Sequence, residues 1–360
     1  MTNIHDYLLW RGDISISKEH PLSEVDSLVL ARFSYLPLDK INLKDGETIE
    51  ALSKRIVNLK DNDFLYNGDK ELAMYIGDSS RFKDLLVTDY QKLDDKETEK
   101  QFGGVTIHLP NNELYVSYLG TDKTINGWKE DFNMAFMDNV PCQISGLEYL
   151  ENISKKYPNK KIRVGGHSKG GNIAIYSSML VGKSTKNKII KVDNFDGPGL
   201  NNIILDKYQD DKIINKMETY IPQESIIGRL LNHKEKMTIC ESNQKGILQH
   251  DIYSWHVFKN EFIKVDSNTK ISEYINKTVI DWLKNTTRDQ RGIFIDAVFE
   301  VFGGAEVESF GEIVSSLTTT IPKILKKYSS LSEEEKKTMT EMIKKFIASY
   351  IHVLRKKKKQ

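Results

Sequence analysis

Lys161 to Tyr176 reads KIRVGGHSKGGNIAIY, and this stretch limits the fold more than any other. A β-branched run at Ile162 to Val164 enters Gly166, His167, Ser168, Lys169 and Gly170, and an apolar helical segment follows. The spacing is G-x-S-x-G between a strand and a helix, the pattern of a nucleophile elbow. A serine on so sharp a turn lies close to neighbouring backbone, so its flanks must be small, and Gly166 and Gly170 supply the room. The turn also sets Ser168 at a helix N-terminus, where the backbone N–H of Lys169 can meet a developing oxyanion. The competing reading is a serine-containing phosphate-binding turn.

The surroundings agree with a layered α/β domain. Gly104 to Leu109 (GVTIHL) and Leu114 to Tyr118 (LYVSY) flank a turn at Pro110, Asn111 and Asn112 and predict a β-hairpin. Gly146 to Tyr157 spaces Leu147, Leu150 and Ile153 at helical intervals, and Pro158 ends that helix before the elbow strand. Ile189 to Phe195 predicts a further strand, closed by a loop at Asp196 to Gly199. After about residue 265 the pattern turns to helices without strand signals, which divides the chain into 1–265 and a helical region 266–360. The last helix opens with Ser332 as N-cap and Glu335 as its capping-box partner. It carries an apolar stripe from Met339 to Leu354 and ends in the basic run Arg355 to Lys359.

Composition removes several classes of function. Lys and Arg number 52 against 51 Asp and Glu, so no global field argues for nucleic acid as the partner. Two cysteines, Cys142 and Cys240, allow neither a disulfide framework nor a four-thiolate zinc site, and they fit a reducing, cytoplasmic setting. No basic and apolar leader opens the chain, and no uncharged apolar run reaches membrane-spanning length. The expected chemistry needs no metal or cofactor.

An elbow serine needs a base, an acid and a second oxyanion donor. Leu119 to Trp128 follows a strand, as the donor's loop must, and Thr121 is its candidate; the alternative is a turn in which Thr121 and Asp122 cap a helix. Among eight histidines, His167 adjoins the nucleophile and diverges from it. His233 sits among charges and His256 in a strand-like run. His250, in the polar loop GILQHDIYSW, is the expected base. The order serine, acid, histidine places the acid between Ser168 and His250. Asp196 follows a strand end but lies in a turn-like DGPG, whereas Glu224 occupies a Pro-marked loop, which favours Glu224.

The motifs GGHSKGG and GTD…GW resemble those of the class 3, fungal-type lipases. WRGD, LGTDKTINGWKEDFNMAF, GGHSKGGNIAIY, NFDGPG, PQESIIGRLL and QHDIYSW together are similar to the Mbeg-like family of bacterial domains of unknown function in the α/β-hydrolase superfamily. The resemblance covers about residues 5 to 260 and implies a mixed sheet flanked by helices. It also implies Ser168 as nucleophile, Thr121 and Lys169 as oxyanion donors and His250 as base. The lipase motif D-x-V-P-x-L-P lies opposite SIIGRLL, which puts Ser225 where the lipase aspartate stands. The resemblance therefore predicts a serine hydrolase for a small-molecule or lipid ester or a thioester. The alternative is an inactive scaffold that binds or regulates, for which the missing aspartate argues. The basic C-terminus adds an expected contact with an anionic membrane surface.

Overall fold

The computed structural model describes residues 2–95, 97, 100–121, 133–134, 137, 139–208, 210–304 and 328–357. Its contacts divide the chain into two units. The first comprises Met1–Leu93, Phe102–Gly120 and Cys142–Thr269; the second comprises Asp94–Gln101, Thr121–Pro141 and Lys270–Gln360. The expected division at residue 265 thus differs in two respects. The second unit's helices begin at Lys270, and two segments from within the first region cluster with it.

The first unit is built on an eight-stranded sheet in which every strand lies beside its neighbours in sequence. Its strands are β1 (Glu47–Thr48), β2 (Leu86–Asp95), β3 (Lys100–Leu109), β4 (Glu113–Tyr118), β5 (Lys161–His167), β6 (Ile189–Phe195), β7 (Met217–Pro222) and β8 (Lys236–Cys240). β3 and β4 form the predicted hairpin, with Asn111 and Asn112 at the positive φ of its turn. From β4 to β8 all pairs are parallel. Each parallel step needs a crossover; the helix Pro141–Lys156 joins β4 to β5 and the helix Lys169–Leu180 lies between β5 and β6.

Alternation along β4 assigns the faces. Tyr115 and Ser117 point to the helix Glu24–Phe33: Tyr115 Oη donates to the Ser27 carbonyl at 2.8 Å, and Ser117 Oγ donates to that of Leu30 at 3.0 Å. Tyr118 points the opposite way and donates to the Gly146 carbonyl of the helix Pro141–Lys156 at 2.7 Å. Phe195, Tyr220, Trp255 and Phe262 are buried together at one end of the main core. Across β6, β7 and β8, Lys191 and Lys236 both reach Glu218 at 2.7 Å. Burial pushes the Glu218 carboxyl up, but hydrogen bonds from Lys191, Lys236 and Thr238 win and hold it at about 2. The parallel strands converge on one edge, and loops at their C-terminal ends are where an α/β sheet gathers functional groups.

In the second unit the described helices are Lys270–Lys284, Arg288–Gly304 and Glu333–Lys357. Ser332 and Glu335 form the expected capping box. Trp282 Nε1 donates to the Met342 carbonyl at 3.0 Å, and its ring meets Phe294 and Phe346 edge-on.

Candidate active site

β5 delivers the chain to Ser168, and the helix Lys169–Leu180 leaves it. Ser168 has φ +58° and ψ −129°, a strained conformation for a residue with a side chain. The turn closes because its flanks are bare. A Cβ on Gly166 would lie 2.3 Å from the Gly170 carbonyl carbon, and one on Gly170 would lie 2.2 Å from the Tyr118 carbonyl oxygen. Neither neighbour can yield, since both are backbone. The Ser168 N–H donates to the Phe195 carbonyl at 2.9 Å, tying the elbow to the end of β6.

β6 ends one residue before Asp196, whose φ is +50° and whose N–H donates to the Tyr220 carbonyl at 2.8 Å. The loop after it is held from within. Asn194 Oδ1 accepts from the Gly197 N–H at 2.9 Å, and Asn172 Nδ2 donates to the Gly199 carbonyl at 2.7 Å. Gln143 in turn fixes Asn172. Asp196 is fully enclosed, and a buried carboxylate demands partners on both oxygens. Oδ1 accepts from Ser225 Oγ at 2.5 Å and from the Gly228 N–H at 3.2 Å, while Oδ2 faces His250 Nδ1 at 2.7 Å.

His250 completes the arrangement, with Nε2 lying 2.9 Å from Ser168 Oγ. Ser168, His250 and Asp196 therefore form one continuous hydrogen-bonded chain. This geometry has what transfer of a proton from the serine to the imidazole requires, with a carboxylate on Nδ1 to fix the ring's tautomer. His167, set aside as a base, acts elsewhere: its Nε2 donates to the His250 carbonyl at 2.9 Å, and the two rings stand 4.6 Å apart. Burial first, and then the neighbouring His250 and Arg32, push His167 well below the usual imidazole range. It is a neutral donor to the loop that carries His250.

Glu224, favoured in sequence as the acid, does not meet His250. Its carboxylate accepts from the Gly246 N–H at 2.5 Å, and its own N–H donates to Gln249 Oε1 at 2.7 Å. It anchors the histidine loop by backbone contacts, while Asp196, the alternative, reaches the ring. The Pro-marked loop was a sound guide to position, since it supplies Ser225 and Gly228 to Asp196, but it misled about the charge. Ser225 and His167 are the site residues that sequence reasoning missed. The signal for Ser225 was its place opposite the lipase aspartate.

Lys169 is the first residue of the elbow helix and is buried. Thr121 is buried directly after Gly120. Residues 122–132, which contain the Asp122 of the capping alternative, lie outside the described ones. Among the described residues there is no group of His, Cys, Asp or Glu able to hold a metal ion.

A model of the Mbeg1-like family matches residues 76–300, and the chain belongs to this family. No curated protein matches its sequence. Among solved structures it is similar to Lip2 lipase from Yarrowia lipolytica, with 11% identity over 70% of this chain and 91% of that one at a TM-score of 0.37. It is also similar to a lipase from Rhizopus microsporus var. chinensis, with 14% identity over 73% of this chain and 91% of that one at a TM-score of 0.37. A fungal lipase matches with 13% identity over 68% and 85% at a TM-score of 0.40. The described residues form a mixed eight-stranded sheet flanked by helices, with a helical C-terminal part.

Proposed function

We propose that this member of the Mbeg1-like family is a serine hydrolase that cleaves a carboxylic ester or thioester through an acyl-enzyme on Ser168. The observation that carries the reading is the unbroken chain from Ser168 Oγ to His250 at 2.9 Å and on to Asp196 at 2.7 Å. His250 takes the serine proton as Oγ attacks the carbonyl carbon, and Asp196 stabilises the imidazolium that forms. The tetrahedral oxyanion rests on the Lys169 N–H at the start of the elbow helix. The imidazolium returns its proton to the leaving alcohol or thiol, and water then repeats the sequence on the acyl-enzyme to release the acid.

The inactive-scaffold reading drew its support from the absent lipase-type aspartate, and it loses that support because Asp196 meets His250 from the end of β6. The lipases in the structural comparison favour a lipid ester as substrate, and the polar Lys169 beside the nucleophile favours a head less apolar than triglyceride. A chain of 360 residues with only two cysteines, both buried, is in keeping with a cytoplasmic setting. The reading predicts hydrolysis of a short p-nitrophenyl ester or thioester by the wild type and none by Ser168→Ala. Equal rates for both proteins contradict it.

A further inference from the structure

The last helix has two apolar faces, and among the described residues only one of them packs against other helices. Met342 and Ser349 are buried on the side facing the other two helices of the second unit, where Lys345 Nζ reaches Gln290 Oε1 at 2.9 Å and His352 lies 3.3 Å from Asp281. The second face is made of Ile343, Ile347, Tyr350, Ile351 and Leu354, which recur at three- and four-residue spacing and so form one stripe, bordered by Phe346, whose ring meets Trp282. These five are between 37% and 52% exposed. Isolated exposed apolar residues are ordinary, whereas a contiguous stripe over three turns is an interaction surface.

Charge identifies what it meets. No Asp or Glu follows Glu341, while Lys344, Lys345, Arg355 and Lys356 to Lys359 all lie in this part of the chain. Lys344 and Arg355 are exposed beside the stripe. Two copies apposed along it would bring these cations together without a counter-charge, so self-association is opposed. A nucleic acid would answer the cations and leave the apolar residues in water. A sheet of acyl chains beneath anionic headgroups answers both, with the stripe sunk at the headgroup boundary and the cations at phosphate level. Lys344, Lys345 and His352 interrupt the helix too often for it to cross a bilayer, and no described helix is long and apolar enough to do so.

We propose that the face Ile343 to Leu354 of the last helix docks the protein on an anionic phospholipid surface, lying in its plane. Docking is independent of Ser168. Together with the hydrolase reading it makes an ester presented at that surface the substrate class.

Co-sedimentation of the full chain with vesicles tests this. Wild type should bind vesicles of phosphatidylcholine mixed with phosphatidylglycerol and bind pure phosphatidylcholine vesicles more than about tenfold more weakly, with the difference shrinking as salt rises. The triple variant Ile343→Ser, Ile347→Ser, Ile351→Ser should lose more than about tenfold in binding to the mixed vesicles. Its melting temperature should hold, because these positions are exposed. If it fails to fold, the pair Lys344→Glu and Arg355→Glu decides in its place. Ser168→Ala should bind as wild type, so failure of catalysis and failure of docking are read separately. Absence of wild-type binding, or equal binding by the variants, overturns the proposal. So does light scattering that shows wild type as a dimer and the triple variant as a monomer, which would make the stripe an interface between copies.

Discussion

Ser225 Oγ lies 2.5 Å from Asp196 Oδ1, and this contact determines which carboxylate oxygen is left for His250. The Gly228 N–H points at the same oxygen and also donates to Ser225 Oγ at 3.1 Å. With Oδ1 occupied, Oδ2 is presented to the imidazole. The carboxylate that meets His250 thus stands at the end of β6, and the loop after β7 contributes a hydroxyl that aims it.

Ser225→Ala removes this hydroxyl and leaves a buried carboxylate short of a donor. A hydrogen bond to a charged group contributes about 1.5–3 kcal/mol, so kcat should fall by about tenfold to a hundredfold while KM stays unchanged. Ser225→Thr should restore the rate. In an Asp196→Asn background the same Ser225→Ala change should cost nothing further. A full additional loss there would show that Ser225 acts by another route.

Asp196→Asn and Glu224→Gln separate the two carboxylates. Neutralising the residue that holds the imidazole should reduce kcat by about 10⁴-fold, as the corresponding change does in a serine protease. Glu224→Gln keeps an oxygen for the Gly246 N–H, so kcat should stay within about tenfold of wild type, and the melting temperature should record the weakened loop. Steady-state kinetics with both proteins reverses the assignment if Glu224→Gln proves the slower.

His167 makes a prediction for stability against pH. Its folded value lies well below the ordinary 6.5, so as pH falls below 6.5 the unfolded chain takes up a proton that the folded protein refuses. Stability contributed by the neutral, buried ring is complete above 6.5 and declines as pH drops from there toward the folded value. The slope for this single group approaches about 1.4 kcal/mol per pH unit. Denaturant unfolding of wild type and His167→Asn across this range should show the wild type losing stability more steeply. Parallel curves would mean that His167 is not held neutral.

The elbow was legible because glycine spacing, a β-branched strand and an apolar helix are local signals, and one sequence window contains all three. The hairpin at Asn111 and Asn112 and the strand Ile189–Phe195 were legible for the same reason. β2 was not, since its last six residues, YQKLDD, read as polar surface, and β8 is a short strand that begins on Lys236. Between Asp196 and Glu224 the sequence offered only loop character. The outcome depends on where β6 and β7 end in space, which brings Asp196 Oδ2 to the ring and turns Glu224 toward Gly246. The bond from His167 to the His250 carbonyl joins residues 83 positions apart and leaves no local trace.

Labelling with a fluorophosphonate probe, with the modified peptide mapped, tests the central claim most directly, because such a probe reacts with a serine only when its oxygen is activated and an oxyanion site receives the phosphoryl oxygen. The account predicts one adduct, on Ser168, lost in Ser168→Ala and formed at least about a hundredfold more slowly in His250→Ala. Wild-type protein that stays unlabelled while folded, or that carries the adduct on another residue, would contradict it.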